Sequence, residues 1–258
     1  MLSQEELVEQ VLGALEKLDR DDPATDKLAS YLYVADKQLS KFIDDLNQTL
    51  DEIQKGKKTD SKIQSKRILA GKLLEQIAYL SFRGLKGVSS LKSFQSAGPQ
   101  YDLLITGDNQ NWITICKLLY LNTESRDIVI EAKAKESKIQ DKDFARLCNI
   151  MELNLSGSGL GVFFTLNGAT GFPKDSSQRQ RSLRDAKLRQ VLFNAKTGKM
   201  IIVFDKEDIL SLAKNGCLIN LITRKIRDLS ENTGLPLVPI TLEEVDLPEH
   251  LKALHESP

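Results

Sequence analysis

Between residues 127 and 204 three short apolar runs, "DIVIEAKA", "LGVFFTLNG" and "KMIIVF", are separated by two amphipathic runs, "SKIQDKDFARLCNIMELNL" and "SSQRQRSLRDAKLRQVLFNA". Short β-branched or aromatic strands that alternate with longer helical runs have one economical packing, a mixed α/β layer. The alternation extends upstream. "SKRILAGKLLEQIAYLSF" reads as an amphipathic helix ending before Gly84 and Gly87. "QYDLLITG", "NWITICKLLYL" and "RDIVIEAKA" read as three strands of a meander, with "DNQ" and "NTES" as the turns between them. Downstream, "DKEDILSLAKNG" reads as a helix closed by Gly216 and "CLINLITRKIRDL" as another. The proline-rich ending, "GLPLVPITLEEVDLPEHLKALHESP", reads as an extended arm.

Residues 1–60 have a different texture. "SQEELVEQVLGALEKL" sets Leu7, Val11, Leu15 and Leu18 on one stripe, with Ser3 and Glu6 as a capping box. "DKLASYLYVADKQLSKFIDDLNQTLDEI" repeats the pattern as one long helix, and "DRDDPATD" with Pro23 breaks the two runs. The expectation is an N-terminal helical hairpin over 1–60, then the polar linker "QKGKKTDSK" and a second domain over 61–258. Such a hairpin is expected to serve packing or dimerisation, with a partner-binding surface as the alternative.

Composition narrows the chemistry. Hydrophobic residues are 41% and charged residues 28% of the chain, which places it with globular proteins rather than disordered ones. The acidic start lacks the basic region of a signal peptide, and no apolar run is long enough to span a bilayer, so the expected location is the cytoplasm without membrane attachment. Cys116, Cys148 and Cys217 are widely spaced and form no CxxC pair, so they read as buried thiols. The two histidines, His250 and His255, lie in the last ten residues, which removes most histidine-dependent chemistry. Any catalysis by this chain must then rest on carboxylates, lysines and metal. Lys plus Arg equals Asp plus Glu at 36 each, so no overall positive field attracts nucleic acid, though a local patch remains open.

Two glycine-containing stretches carry no cofactor signal. "SGSGLG" at 156–161 follows a helix and opens a strand, the reverse of a dinucleotide fingerprint. "KTGKM" at 196–200 lacks the first glycine and the hydroxyl residue of a P-loop, and reads as a turn.

The charges in "DIVIEAKAK" are the anomaly. A period of two puts Ile128, Ile130, Ala132 and Ala134 on one face and Val129, Glu131, Lys133 and Lys135 on the other, so Glu131 and Lys133 point the same way. Asp102 stands at the start of "QYDLLITG", and a meander brings its carboxylate toward Glu131. Two carboxylates and a lysine can hold a hard divalent cation and position an attacking water without histidine. The competing accounts are an ion pair on a solvated sheet face for Glu131 and Lys133, a turn or capping residue for Asp102, and a solvent-facing helix position for Glu75.

"GPQYD", followed by "EAK" with 28 residues between Asp102 and Glu131, resembles the signature of the PD-(D/E)xK nuclease superfamily, the restriction-endonuclease-like fold. "GKLLEQIAYL" resembles that fold's first core helix, with Glu75 at the position of a glutamate that often joins the metal site. The stretch from "LGVFFTLNGATGFP" to "KMIIVFDKEDILSLAKNG" is similar to the later half of restriction-type domains of the Mrr kind. The resemblance covers about residues 66–230. It departs at the proline, since Pro99 lies three residues before Asp102 and Tyr101 occupies its usual place.

The resemblance implies a magnesium- or manganese-dependent endodeoxyribonuclease of restriction or defence type. Asp102, Glu131 and Glu75 would hold the metal, and Lys133 would serve the attacking water. Arg181, Arg184 and Lys187 stand at three-residue spacing on the basic run and would track the phosphates of duplex DNA, with Lys135 able to touch one more. A homodimer through the N-terminal helices would cut both strands. An idle site on the same fold, acting as a DNA-binding or scaffold subunit, and an RNA-directed nuclease are the alternatives. Aromatics at 6% favour duplex DNA over a single strand.

Overall fold

The structure, a computed structural model, describes residues 23–56, 60–94, 101–122, 124–172 and 185–233. Its helices are α1 (Pro23–Leu32), α2 (Leu39–Lys55), α3 (Ser61–Arg83), α4 (Gln110–Leu118), α5 (Asp141–Asn149), α6 (Asp185–Thr197), α7 (Lys206–Leu210) and α8 (Cys217–Thr233). Its strands are β1 (Val88–Phe94), β2 (Tyr101–Gly107), β3 (Asp127–Lys133), β4 (Ser158–Thr165) and β5 (Met200–Phe204). They form one sheet in the order β1-β2-β3-β4-β5. The first three strands pair antiparallel; β3, β4 and β5 run parallel. Each parallel step needs a crossover, which α5 and α6 supply.

Every residue of β4 and β5 is buried, as expected for central strands covered on both faces. Leu160, Val162 and Phe164 face one layer with Ile128, Ile130, Met200, Ile202 and Phe204, against apolar residues of α1 to α4 and α8. Phe164 meets Phe204 at 5.1 Å between ring centroids and Phe82 of α3 at 6.1 Å. Burying each such ring is worth roughly 1.5–3 kcal/mol. Val129, Phe163, Ile201 and Val203 face the other layer, against Phe144, Leu147 and Met151 beside α5 and Phe193 of α6.

The glycines of "SGSGLG" serve this packing. A Cβ on Gly159 would stand 2.1 Å from the carbonyl oxygen of Ser125, and one on Gly161 would stand 2.8 Å from Met151 Sδ. Gly198 in "KTGKM" turns the chain between α6 and β5 at φ +68°.

Three sequence expectations need correction. "NWITICKLLYL" is α4, not a strand: Asn109 caps it by accepting from Trp112 N at 3.2 Å, and Trp112, Ile115, Cys116 and Leu119 are buried at helical spacing. The missing strand is β1, whose polar "VSSLKSF" forms the sheet's edge. The long helix expected between Asp26 and Ile53 is two helices. α1 starts on Pro23, a position where the missing amide costs nothing, and ends at a bridge between Tyr33 and Leu85. "DKEDILSLAKNG" forms only the short α7.

The described part of the N-terminal region packs on the sheet's own core. Leu32, Tyr33, Leu39, Ile43 and Leu46 belong to the same apolar cluster as Phe164 and Ile202. Tyr33 donates its hydroxyl to Leu212 O at 2.9 Å. The first expected helix, the residues 234–258 read as an arm, and His250 and His255 lie outside the described residues.

Cys116 and Cys148 are buried and Cys217 is half-buried; all three are free thiols. Burial pushes the Cys116 and Cys148 thiols up to about 12, which leaves them protonated and inert. Among the described residues no helix is long and apolar enough to cross a membrane.

Candidate active site

The register of β2 on β3 pairs Ile105 with Ile128, Leu104 with Val129 and Leu103 with Ile130. One more step along it sets Asp102 opposite Glu131. The Asp102 carboxylate accepts a hydrogen bond from the main-chain amide of Ala132 at 2.5 Å, so it is held against the Glu-Ala-Lys stretch of β3 by the backbone itself. Lys133, two residues beyond Glu131, lies on the same side and donates to Glu131 Oε1 at 2.5 Å. Arg146, from α5 on that face, pairs with the same oxygen.

This arrangement places Glu131 at 4% exposure with two cations around it. A carboxylate at that depth costs several kcal/mol without such partners. Burial raises the Glu131 carboxyl above its usual range; Lys133 and Arg146 pull it back, while the Asp102 charge adds to the rise. Asp102 is raised by burial as well, against the pull of the Ala132 amide, Lys133 and Arg146. Glu75, exposed on α3, is raised first by partial burial and then by the charge of Asp102. All three carboxyls are held above their ordinary range chiefly by burial, with the Asp102 charge adding to the rise at Glu131 and Glu75.

Glu75, Asp102, Tyr79, Gln76, Tyr101 and Phe42 line one groove of about 430 Å³. A larger cavity, about 1040 Å³, surrounds Asp205, Lys187 and Arg224 beyond the ends of β4 and β5; none of Asp102, Glu131 or Lys133 lines it. Its rim carries charges already paired to one another, such as Asp208 with Lys225 at 2.6 Å. Asp102 and Glu75 line the smaller groove, whereas Glu131, Lys133 and Arg146 line neither of the two and meet Asp102 at the strand ends.

Among the described residues no group of three or more His, Cys, Asp or Glu side chains could hold a metal ion as a cluster. Glu75 therefore stands beside the pair rather than forming a compact triad with it. The pair itself suits magnesium, which keeps several waters and takes one or two carboxylates.

The other expected residues are dispersed. Arg181 and Arg184 lie outside the described residues, as does Pro99. Lys187 is 3% exposed and lines the larger cavity, so it is not on an open helix stripe. Lys135 is exposed and stands 3.8 Å from Asp143. Arg146 escaped the sequence reading because no spacing rule ties a residue of the crossover helix to a strand end. Tyr79 was within reach of one, since it follows Glu75 by four positions on the same helix.

Comparison with family models, with curated proteins and with solved structures finds no match to this chain. What the coordinates define is a five-stranded mixed α/β protein with a charged, half-buried site at the junction of β2, β3 and α5.

Proposed function

We propose that this chain is a divalent-cation-dependent endodeoxyribonuclease built on the restriction-endonuclease-like fold. The observation that carries the reading is the meeting of Asp102, Glu131, Lys133 and Arg146 beside the apolar centre of the sheet. Asp102 and Glu131 would hold the cation, magnesium or manganese, with Glu75 at its margin. When bound, that ion supplies Lewis-acid polarisation of a phosphodiester and offsets charge growing on phosphorus. The chain's own groups do the rest. Lys133, whose ammonium pairs with Glu131, would orient a water and donate to it. Arg146 adds a second positive group on the same side, suited to a phosphate oxygen.

Duplex DNA is the proposed substrate, with two copies joined through the N-terminal helices cutting both strands. A restriction or defence role belongs to this proposal. One observation favours a second reading: Glu131 already has two cationic partners, which is also how a site retained only to fix the strand end would look. Such a protein would bind nucleic acid as a subunit and cut nothing.

The test is cleavage of supercoiled plasmid, linear duplex and RNA by the wild type and Lys133→Ala, with magnesium, manganese or EDTA. Metal-dependent cutting of DNA that Lys133→Ala loses supports the nuclease. Cutting of RNA alone moves the substrate, and binding without cutting by a folded wild type leaves the subunit reading in its place.

A further inference from the structure

The groove beside the candidate site has a chemistry that phosphate and metal do not explain. Its wall along α3 is the neighbouring pair Glu75 and Gln76 followed by Tyr79 and Arg83, with Glu75, Tyr79 and Arg83 at four-residue spacing and Gln76 three before Tyr79, so they share one side of the helix. Across from them stand Phe42 of α2 and Tyr101 and Asp102 of β2. Tyr79 keeps 39% of its surface in solvent, high for a tyrosine in a recess, and so offers a ring to a visitor. The guanidinium of Arg83 lies 5.8 Å from the centre of that ring and is already paired with Asp36, which leaves the groove little positive charge for an anion.

We propose that this groove takes a single unstacked nucleobase next to the phosphate being cut, with Tyr79 as its stacking surface. The volume of about 430 Å³ falls within the range of small-molecule pockets. Arg83, already paired with Asp36, gives the groove little pull on a second phosphate, while the Glu75 carboxylate at its wall can accept a hydrogen bond from an exocyclic amine. A neutral ring with an amino group, adenine or cytosine rather than thymine, fits both requirements. The amide of Gln76 gives one donor and one acceptor for its edge. This rests on the nuclease reading for the position of the phosphate, and it refines the substrate from an uninterrupted duplex to DNA with an unpaired or extruded nucleotide.

The measurement is fluorescence anisotropy with labelled synthetic duplexes of one sequence, fully paired, with one unpaired adenine, or with one unpaired thymine. The full-length Lys133→Ala chain with magnesium serves as the binding form, alone and combined with Tyr79→Ala or Tyr79→Phe. Unpaired adenine should bind about five-fold or more tighter than the paired duplex, because stacking one base on an aromatic ring is worth at least about that factor. Tyr79→Ala should erase the preference and Tyr79→Phe should keep it. Equal affinity for paired and unpaired duplexes, or a preference that survives Tyr79→Ala, overturns the base site. Equal affinity for unpaired thymine and adenine overturns the amine contact. Cleavage of the same duplexes by the wild type separates the two readings. Cutting without the preference removes the base site and keeps the nuclease; the preference without cutting does the reverse.

Discussion

The carboxylate of Asp102 and the main-chain amide of Ala132 are joined at 2.5 Å, which locks the start of β2 to the residue between Glu131 and Lys133. A side chain that accepts a backbone amide has a structural task, and one raised by burial beside other charges has an electrostatic one. Substitution can separate them.

Asp102→Asn keeps an acceptor for the Ala132 amide but removes the charge, whereas Asp102→Ala leaves that amide unpaired. The asparagine variant should match or exceed the wild-type melting temperature, since a buried charge is gone. The alanine variant should lose about 1–3 kcal/mol. Both should lose metal-dependent cleavage. Chemical denaturation measured beside plasmid nicking reads the two effects; an active Asp102→Asn would remove Asp102 from the cation site.

The raised carboxyls set a pH signature. In Glu75, Asp102 and Glu131 burial is the largest cause, so each folded-state value lies above the unfolded one. Between those two values the folded chain binds more protons, so stability falls as pH rises through that window. Above the folded values the cost of holding the charges is fully present. A cation that binds only the ionised carboxylates offsets it there. Magnesium should therefore raise the melting temperature at neutral and alkaline pH and lose this effect in acid. Saturation at a hundred times Kd corresponds to about 2.7 kcal/mol. Differential scanning calorimetry across pH with and without magnesium, repeated on Glu131→Gln, is the check. Equal stabilisation of the variant would place the cation elsewhere.

The parts of the fold that were legible in the sequence are those where burial is extreme. β3, β4 and β5 are covered on both faces, so their residues are apolar almost without interruption and Glu131 stands out against them. β1 is an edge strand whose Ser89, Lys92 and Ser93 are exposed, so it carries no apolar signal. α4 looks like a strand in sequence because Ile113, Thr114 and Ile115 are β-branched, and the helical spacing of its buried Trp112, Ile115 and Cys116 is the better guide. In the site, Glu131, Lys133 and Asp102 follow from strand periodicity and element order. Arg146 and Phe42 come from helices whose approach depends on packing, which local spacing does not encode.

Gly159 and Gly161 both lie in β4, yet their alanine variants should differ. A Cβ at 159 meets a carbonyl oxygen of the backbone, at Ser125, which moves only if the loop before β3 moves. At 161 it meets Met151 Sδ at 2.8 Å, the far end of a flexible side chain, with Leu147 Cδ2 at 3.1 Å. Gly161→Ala should cost about 1–3 kcal/mol as overpacking, and Gly159→Ala should cost more. Urea denaturation of both variants gives the order directly; the reverse order would contradict the packing described for β4.

Tyr33 offers a test of how α1 is fastened to the rest. Its side chain is fully buried, its hydroxyl bonds Leu212 O, and its own carbonyl accepts from Gly216 N at 3.1 Å. Tyr33→Phe keeps the ring and leaves the Leu212 carbonyl without that donor, an expected loss of about 0.5–1.5 kcal/mol. Native-state hydrogen exchange should then show faster opening in α1 and the segment 206–216 together. Unchanged exchange there would mean that the ring, not the hydroxyl, makes the attachment.

Arg146 shares Glu131 with Lys133, so its removal should act on cation and phosphate in opposite directions. Without the guanidinium, Glu131 has one positive competitor fewer, and magnesium should bind more tightly. The phosphate of DNA loses a charge-assisted partner, and KM should rise by about ten-fold, the worth of one such hydrogen bond at roughly 1.5 kcal/mol. Arg146→Met preserves much of the stem's packing and removes the charge. Magnesium titration by calorimetry and KM for plasmid cleavage measure the two responses on one variant. If both weaken together, Arg146 acts only by holding Glu131 in place, and its role is positioning. If cation affinity rises while DNA affinity falls, the arginine belongs to the phosphate side of the site.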